Sequence, residues 1–143
     1  MRFSSSIVIN APPEKVFALV DNLEDWPQWI PSIEKIEKVS EGPLKEGSRI
    51  RVTAKSGVTV KLLMTITEFI PGQRGVMQGK VLGTRMTRYY TFERIEQGTK
   101  LTAGGEVKGP LAFLVRRGGQ RLSEEIVQAA KRKIEGLEGE EHR

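Results

Sequence analysis

The sequence predicts an α+β domain in which a curved, seven-stranded antiparallel sheet wraps around one long C-terminal helix. Seven β-rich segments are joined by short turns, and no strand–helix–strand alternation of the kind found in parallel sheets occurs. Two short helical segments follow the first strand directly, and an apolar stripe of helical period occupies the last third. The sheet and the long helix each present one apolar face, so each is expected to bury that face against the other.

The first 30 residues predict one strand and two short helices. Apolar and polar side chains alternate over Arg2–Asn10, which is the pattern of a half-buried strand. Two prolines then end the strand, because proline cannot donate to a sheet ladder. Helical spacing of apolar side chains continues to about Asn22. A second helix is predicted over Asp25–Ile30, with Asp25 as its N-cap.

Six further β-rich segments follow, separated by residues that are typical of turns. Their short connections predict an antiparallel meander. The predicted strands are Ile33–Val39, Arg49–Lys55, Val58–Phe69, Gly75–Lys80, Thr84–Ile95 and Lys100–Lys108.

The final element is a helix predicted from about Pro110 to Gly136. Gly118 and Gly119 lie inside it, and each costs about 1 kcal/mol relative to alanine in a helix. We therefore expect that the helix bends there, or that a backbone or a ligand approaches closely. Residues 137–143 are predicted to form a frayed polar tail, and residues 1–143 a single domain.

Composition excludes several classes of site. The 143 residues contain no cysteine and a single histidine, His142, so disulfide scaffolds, thiol catalysis, histidine triads and multi-histidine metal sites are excluded. We expect no cofactor and no metal site. No apolar run approaches the about 20 residues that span a bilayer, and the N-terminus lacks the flanks of a signal peptide. The sequence thus predicts a cytoplasmic protein whose contact with membranes is at most peripheral.

Positive charge is concentrated in the middle third of the chain. Residues 48–94 contain nine Lys or Arg and two Glu. These cations alternate with apolar residues along predicted strands, as on the solvated face of a sheet, and this interpretation is favoured. The alternative is a surface that attracts nucleic acid, a ribosome or an anionic membrane.

Short segments spread along the chain resemble the motifs of one protein family. They are Ile9–Phe17, Trp26–Pro31, Glu68–Gly72, Phe92–Glu93 and Gly98–Thr102, in the family's order and spacing. The chain thereby resembles the polyketide cyclase/dehydrase and lipid transport family of the START-like (SRPBCC, Bet v 1-like) superfamily. This resemblance implies the helix-grip fold. It also implies a hydrophobic or amphiphilic small molecule bound between sheet and helix, a polyketide cyclisation or dehydration activity, or a role as a ribosome-associated toxin.

The strand around Arg88 is the most informative place for a site. Its apolar, inward face contains Met86, Arg88 and Tyr90, which places a cation among apolar neighbours. Arg88 could bind a carboxylate, phosphate or carbonyl of an amphiphile, with Tyr90 donating beside it. Alternatively, Arg88 lies at the rim and reaches water.

Small residues in the last two elements predict an internal pocket of a few hundred Å³ between sheet and helix. They are Ala103, Gly105, Gly118 and Gly119. The residues predicted to line the pocket are Ile7, Phe17, Trp29, Leu62, Met64, Met86, Arg88, Tyr90, Leu101, Ala103, Leu114, Gly118, Leu122 and Ile126.

Three functions are compatible with this sequence. The leading hypothesis is a binding or carrier domain for a lipid, a quinone or a polyketide-like molecule. The second is an aromatase/cyclase or dehydratase, although no internal histidine or paired carboxylate supports it and no catalytic residue is assigned. The third is an interaction protein of RNA, the ribosome or an anionic membrane, for which steep salt dependence would be the signature.

Overall fold

The computed structural model describes the backbone of residues 1–56 and 58–141. Within these residues, seven strands and three α-helices follow one another in the predicted order. They are β1 (Arg2–Ile9), α1 (Pro13–Val20), α2 (Trp26–Trp29), β2 (Ile33–Lys38), β3 (Arg49–Ser56), β4 (Val58–Ile70), β5 (Arg74–Val81), β6 (Thr84–Ile95), β7 (Gly98–Lys108) and α3 (Ala112–Glu141), with a 3₁₀ turn at Leu23–Asp25.

The strands form one antiparallel sheet in the order β1-β7-β6-β5-β4-β3-β2. Strands β2 to β7 form a meander, and β1 joins its far edge by pairing with β7, with Ser5 opposite Ala103. The curved sheet wraps around α3, which lies mainly against β1 and β7. The predicted α+β class and helix-grip architecture are confirmed.

Helix boundaries differ from the predicted ones for local reasons. Asp25 occupies the N-cap position of α2, but its carboxylate accepts a hydrogen bond from Asn22 Nδ2 at 2.7 Å and makes no capping bond. Helix α3 begins after Leu111, whose φ of 60° interrupts the regular backbone, and it stays helical to Glu141, beyond its predicted end at Gly136. Of the predicted polar tail, His142 and Arg143 lie outside the described residues.

The ring of Phe3 occupies the space that two of the small residues leave. A Cβ added to Gly119 would lie 2.7 Å from Phe3 Cζ, and one added to Gly105 would lie 2.6 Å from the same atom. The ring is therefore wedged between β7 and α3, where it is buried. The group that approaches Gly119 is an aromatic side chain of β1, and not the backbone or ligand that was expected at the glycine pair. The room expected at Gly105 and Gly119 is filled by protein.

None of the described helices combines the length and the apolar character that crossing a bilayer requires.

The two neighbouring glycines of α3 are expected to respond oppositely to alanine. Nothing lies within 4 Å of a Cβ at Gly118, so Gly118→Ala should raise the free energy of unfolding by about 0.5–1 kcal/mol through helix propensity. Gly119→Ala should lower it by about 1–3 kcal/mol, because the new methyl group overlaps the wedged ring. Urea denaturation of both variants measures the difference, and a stabilised Gly119→Ala would contradict the packing of Phe3.

Candidate functional site

A cleft of about 640 Å³ lies between the N-terminal half of α3 and strands β3 to β6. We refer to it as the α3 cleft. Most of its walls are apolar, and Val58, Leu82 and Leu114 at its edge are exposed, so that it opens to solvent. The residues that line it are Ser32, Ala54, Val58, Val60, Leu62, Val81, Leu82, Met86, Arg88, Leu114, Val115, Arg117, Gly118, Gly119, Arg121, Leu122 and Glu125.

Arg88 lies at the inner end of the α3 cleft. Its side chain also borders two small voids, one of about 40 Å³ beside Met64 and one of about 10 Å³ beside Trp26. The residue is only 7% exposed, so the interpretation of Arg88 as a rim residue that reaches water is wrong. The inward face that strand alternation predicted for this residue is correct.

Few groups compensate the buried charge of Arg88. Its Nη2 donates to Ser123 Oγ at 2.9 Å, and its Cζ lies 5.5 Å from the centroid of the Phe3 ring, within the range of a cation–π interaction. Its Nη1 has no hydrogen-bond partner among the described residues. Burial lowers the pKa of Arg88 to about 10, so the side chain still carries its charge at neutral pH.

Tyr90 does not assist Arg88, which corrects the expected arrangement. Its hydroxyl donates to Asp21 Oδ1 at 3.0 Å, and Asp21 Oδ2 accepts the backbone N–H of Gly72 at 2.9 Å. Asp21 thereby ties the end of α1 to β6 and to the β4–β5 turn. Burial raises the pKa of Asp21, while the bonds from Gly72 and Tyr90 act in the opposite direction. Burial and the adjacent carboxylate raise the pKa of Tyr90, so this hydroxyl stays protonated.

One acidic side chain lines the α3 cleft among the described residues. The carboxylate of Glu125 accepts the backbone N–H of Ser32 at 2.7 Å and also the Ser32 hydroxyl. Ser32 lies between α2 and β2, so this contact fastens that connection to α3. Both carboxylate oxygens are engaged in a structural role.

Ten of the fourteen predicted site residues border the cleft or the two voids. They are Leu62, Met64, Met86, Arg88, Tyr90, Ala103, Leu114, Gly118, Leu122 and Ile126.

The other four predicted residues lie outside these three spaces. Leu101 is fully buried in the core and Ile7 is half-buried against it. Phe17 packs edge-on against Phe92, and Trp29 packs edge-on against Trp26. Alternation along a strand identifies an inward face, but it does not distinguish the part of that face that lines a cleft from the part that packs in the core.

Three residues that border the voids beside Arg88 or contact its guanidinium are not among the fourteen predicted ones. Trp26, rather than Trp29, borders both voids beside Arg88. Phe3 and Ser123 contact the guanidinium directly. A signal for Ser123 was present, because it is a polar residue at the spacing of the apolar stripe of α3, one helical turn after Gly119. Its hydroxyl donates to the Gly119 carbonyl at 2.8 Å, which leaves its oxygen free to accept from Arg88.

Comparison with known proteins agrees with this architecture. Residues 1–135 match the family described as polyketide cyclase/dehydrase and lipid transport. The chain belongs to this family. At the level of sequence, no curated protein matches the chain.

Solved structures similar to this member of the polyketide cyclase/dehydrase and lipid transport family share its fold. Ara h 8.0201 is 25% identical with a TM-score of 0.74, and the match covers 95% of this chain and 98% of that one. A START superfamily protein from Mycobacterium smegmatis is 17% identical, with a TM-score of 0.77 and coverage of 95% and 98%. StfQ, a di-domain aromatase/cyclase from the steffimycin biosynthetic pathway, is 15% identical with a TM-score of 0.79, and the match covers 96% of this chain and 51% of StfQ.

The Asp21–Tyr90 contact leads to a pH-dependent prediction. Tyr90→Phe should lower the free energy of unfolding at pH 7 by about 1–3 kcal/mol, because a buried donor to a carboxylate is lost. The hydrogen bond favours the ionised carboxyl, so the loss should grow as the pH rises from 3 to 7, through the raised pKa of Asp21. Urea denaturation between pH 3 and pH 7 measures this loss of unfolding free energy. Tyr89→Phe, on the outer face of the same strand, is the matched control, and equal losses at pH 3 and pH 7 would contradict the assignment.

Proposed function

We propose that this protein binds an amphiphilic small molecule in the α3 cleft, with an anionic head group at Arg88 and an apolar body toward the mouth. The observation that carries the proposal is the Arg88 guanidinium, which is charged, buried and only partly hydrogen-bonded at the inner end of an apolar cleft. A binding or carrier role for a lipid, a quinone-like acid or a polyketide-like molecule follows from it.

The size and walls of the cleft support an apolar body for the ligand. A volume of about 640 Å³ lies inside the range that holds drug-sized molecules. Val60 and Leu62 of β4, Met86 of β6 and Leu122 of α3 contribute apolar side chains from both sides. Apolar surface buried here would be removed from water on both faces of the ligand, which favours binding.

The chemistry of Arg88 supports an anionic head group. Burying an isolated cation costs several kcal/mol, and a single hydroxyl together with one aromatic ring offsets only part of this cost. A carboxylate or phosphate oxygen would give Nη1 the acceptor that the described residues do not provide. The planar guanidinium also selects for such oxygens by geometry.

The site favours binding over polyketide cyclisation. General acid–base catalysis needs a side chain that can exchange a proton near the reacting atoms. Glu125 is held by Ser32, and the Tyr90 hydroxyl is held by Asp21. Arg88 keeps its proton at neutral pH, because its pKa lies near 10. These groups are suited to holding a ligand in place, and none is positioned to accept a proton from it.

The test compares two probes that differ only in the head group. Oleate carries a carboxylate, and oleyl alcohol has the same chain with a neutral hydroxyl. Arg88→Met should weaken oleate binding about tenfold or more, as expected for the loss of a charged hydrogen bond, and change oleyl alcohol binding less than twofold. Isothermal titration calorimetry measures both affinities.

Two controls make the result interpretable. Arg94→Met removes an exposed cation far from the cleft and should leave both affinities unchanged. Leu62→Gln, which places an amide in the apolar wall, should weaken both probes alike. If Arg88→Met weakens the two probes equally, or if neither binds to the wild type, the assignment of Arg88 as a head-group site is wrong.

A further inference from the structure

Large apolar side chains are exposed together at the mouth of the α3 cleft. We refer to Val58, Leu82, Leu111, Phe113 and Leu114 as the apolar tips. Val58, Leu82 and Phe113 are 70%, 67% and 58% exposed. The apolar tips come from the start of β4, the β5–β6 turn, the β7–α3 connection and the beginning of α3. Val58, Leu82 and Leu114 line the same cleft, and the β5–β6 turn contacts the β7–α3 connection, because Gly83 lies against Pro110.

Two of the apolar tips occupy backbone positions that disfavour leucine. Leu82 and Leu111 have φ values of 52° and 60°, in the left-handed region that favours glycine and asparagine. Both side chains are exposed, so packing inside the protein does not compensate for the strain. A leucine therefore occupies a strained backbone position at two places at the same end of the molecule. An external partner that contacts these side chains would explain why leucine is found there.

Three exposed cations form a row across β5, β6 and β7 beside the apolar tips. Lys80 faces Arg85 across β5 and β6, and Arg85 faces Lys108 across β6 and β7. Like charges opposite each other in a sheet are destabilising. Lys108 pairs with Glu106 at 3.5 Å, but among the described residues Lys80 and Arg85 form no ion pair. Arg94 forms an ion pair with Glu14 at 2.8 Å, but the row of like charges, rather than the lack of ion pairs, distinguishes this end of the sheet.

We propose that this end of the protein is a docking surface for an anionic lipid bilayer. Lys80 and Arg85 lie two and three residues from Leu82, which is within about 10 Å along the strands. The apolar tips would enter the acyl boundary, while the cations contact phosphate groups just above it. Arg117 and Arg121, which line the cleft, add charge at the same end. The cleft would then open directly onto the membrane.

Other partners fit this surface less well. A second copy of the chain would bring the Lys80–Arg85–Lys108 row close to its own equivalent, and this charge repulsion opposes self-association. Nucleic acid would satisfy the cations, but four of the five apolar tips are aliphatic, and Phe113 alone among them offers an aromatic face on which a base stacks. The bilayer satisfies both features at once.

The test uses vesicles of phosphatidylcholine and phosphatidylglycerol at 7:3, with pure phosphatidylcholine for comparison, in co-sedimentation. The wild type should bind the anionic vesicles, and binding should weaken as salt is raised. Lys80→Gln with Arg85→Gln should reduce binding to them by about fivefold per charge. Leu82→Asn with Phe113→Ser should reduce it about tenfold or more.

Leu82→Asn also separates docking from folding. Asparagine tolerates a positive φ better than leucine does, so this variant should unfold at an equal or higher urea concentration while it binds vesicles more weakly. The matched controls are Val8→Ser and Lys100→Gln. These exposed residues face each other across β1 and β7, near the opposite end of the sheet, and both variants should bind within twofold of the wild type.

Several results would overturn the proposal. One is the absence of binding to the anionic vesicles at low salt. Another is unchanged vesicle binding by the double variant Leu82→Asn with Phe113→Ser, because the protein would then be attracted to the vesicles by net charge alone. A dimer that this variant dissociates in sedimentation velocity, without vesicle binding, would assign the apolar tips to self-association. The oleate measurement is made without vesicles, so it succeeds or fails independently of this one.

Discussion

A charged guanidinium buried between the sheet and α3 constrains the packing of this protein. Arg88 projects from β6, Ser123 accepts its hydrogen bond from α3, and Phe3 presents its ring from β1. Three elements distant in sequence therefore meet at one cation. Because removing one partner of a buried charge is costly, the position of α3 along the sheet is coupled to this contact. Gly119 strengthens the coupling, since its lack of a side chain admits Phe3 and its carbonyl orients Ser123.

Two neighbouring polar residues on the inward face of β6 have different roles because their partners differ. Tyr90 donates to Asp21, which is itself bound by the Gly72 backbone, so its hydrogen-bonding capacity is used in holding the fold. Arg88 has one protein partner on one nitrogen and none on Nη1 among the described residues. The proposed head-group site at Arg88 rests on this residual hydrogen-bonding capacity beside an apolar cleft, rather than on polarity alone.

The exposed cations of the sheet differ in the charges that surround them. The solvated-face interpretation of the basic middle third suits cations such as Arg74, which pairs with Glu68 at 3.5 Å across β4 and β5. Lys80 and Arg85 are also exposed, as this interpretation predicts, but they face each other across β5 and β6 beside the exposed Leu82. Repulsion among these cations and the strain at Leu82 both reduce the stability of the folded chain. Contact with the proposed bilayer would account for the coincidence of the two features at the mouth of the cleft.

The sequence by itself determined the order of the elements, the antiparallel sheet and the inward orientation of Arg88, because apolar periodicity and turn residues are local signals. Only the tertiary structure decided which side chains meet that cation. The Tyr90 hydroxyl donates to Asp21, which is 69 residues away in sequence. Ser123 of α3, and not Tyr90, accepts the hydrogen bond from Arg88. Phe3 filled the space at Gly105 and Gly119 that had been expected to remain open. Alternation of apolar and polar residues shows which face of a strand points inward. The hydrogen-bond partners of a side chain, and the side chains that occupy the interior beside it, depend on how distant elements pack.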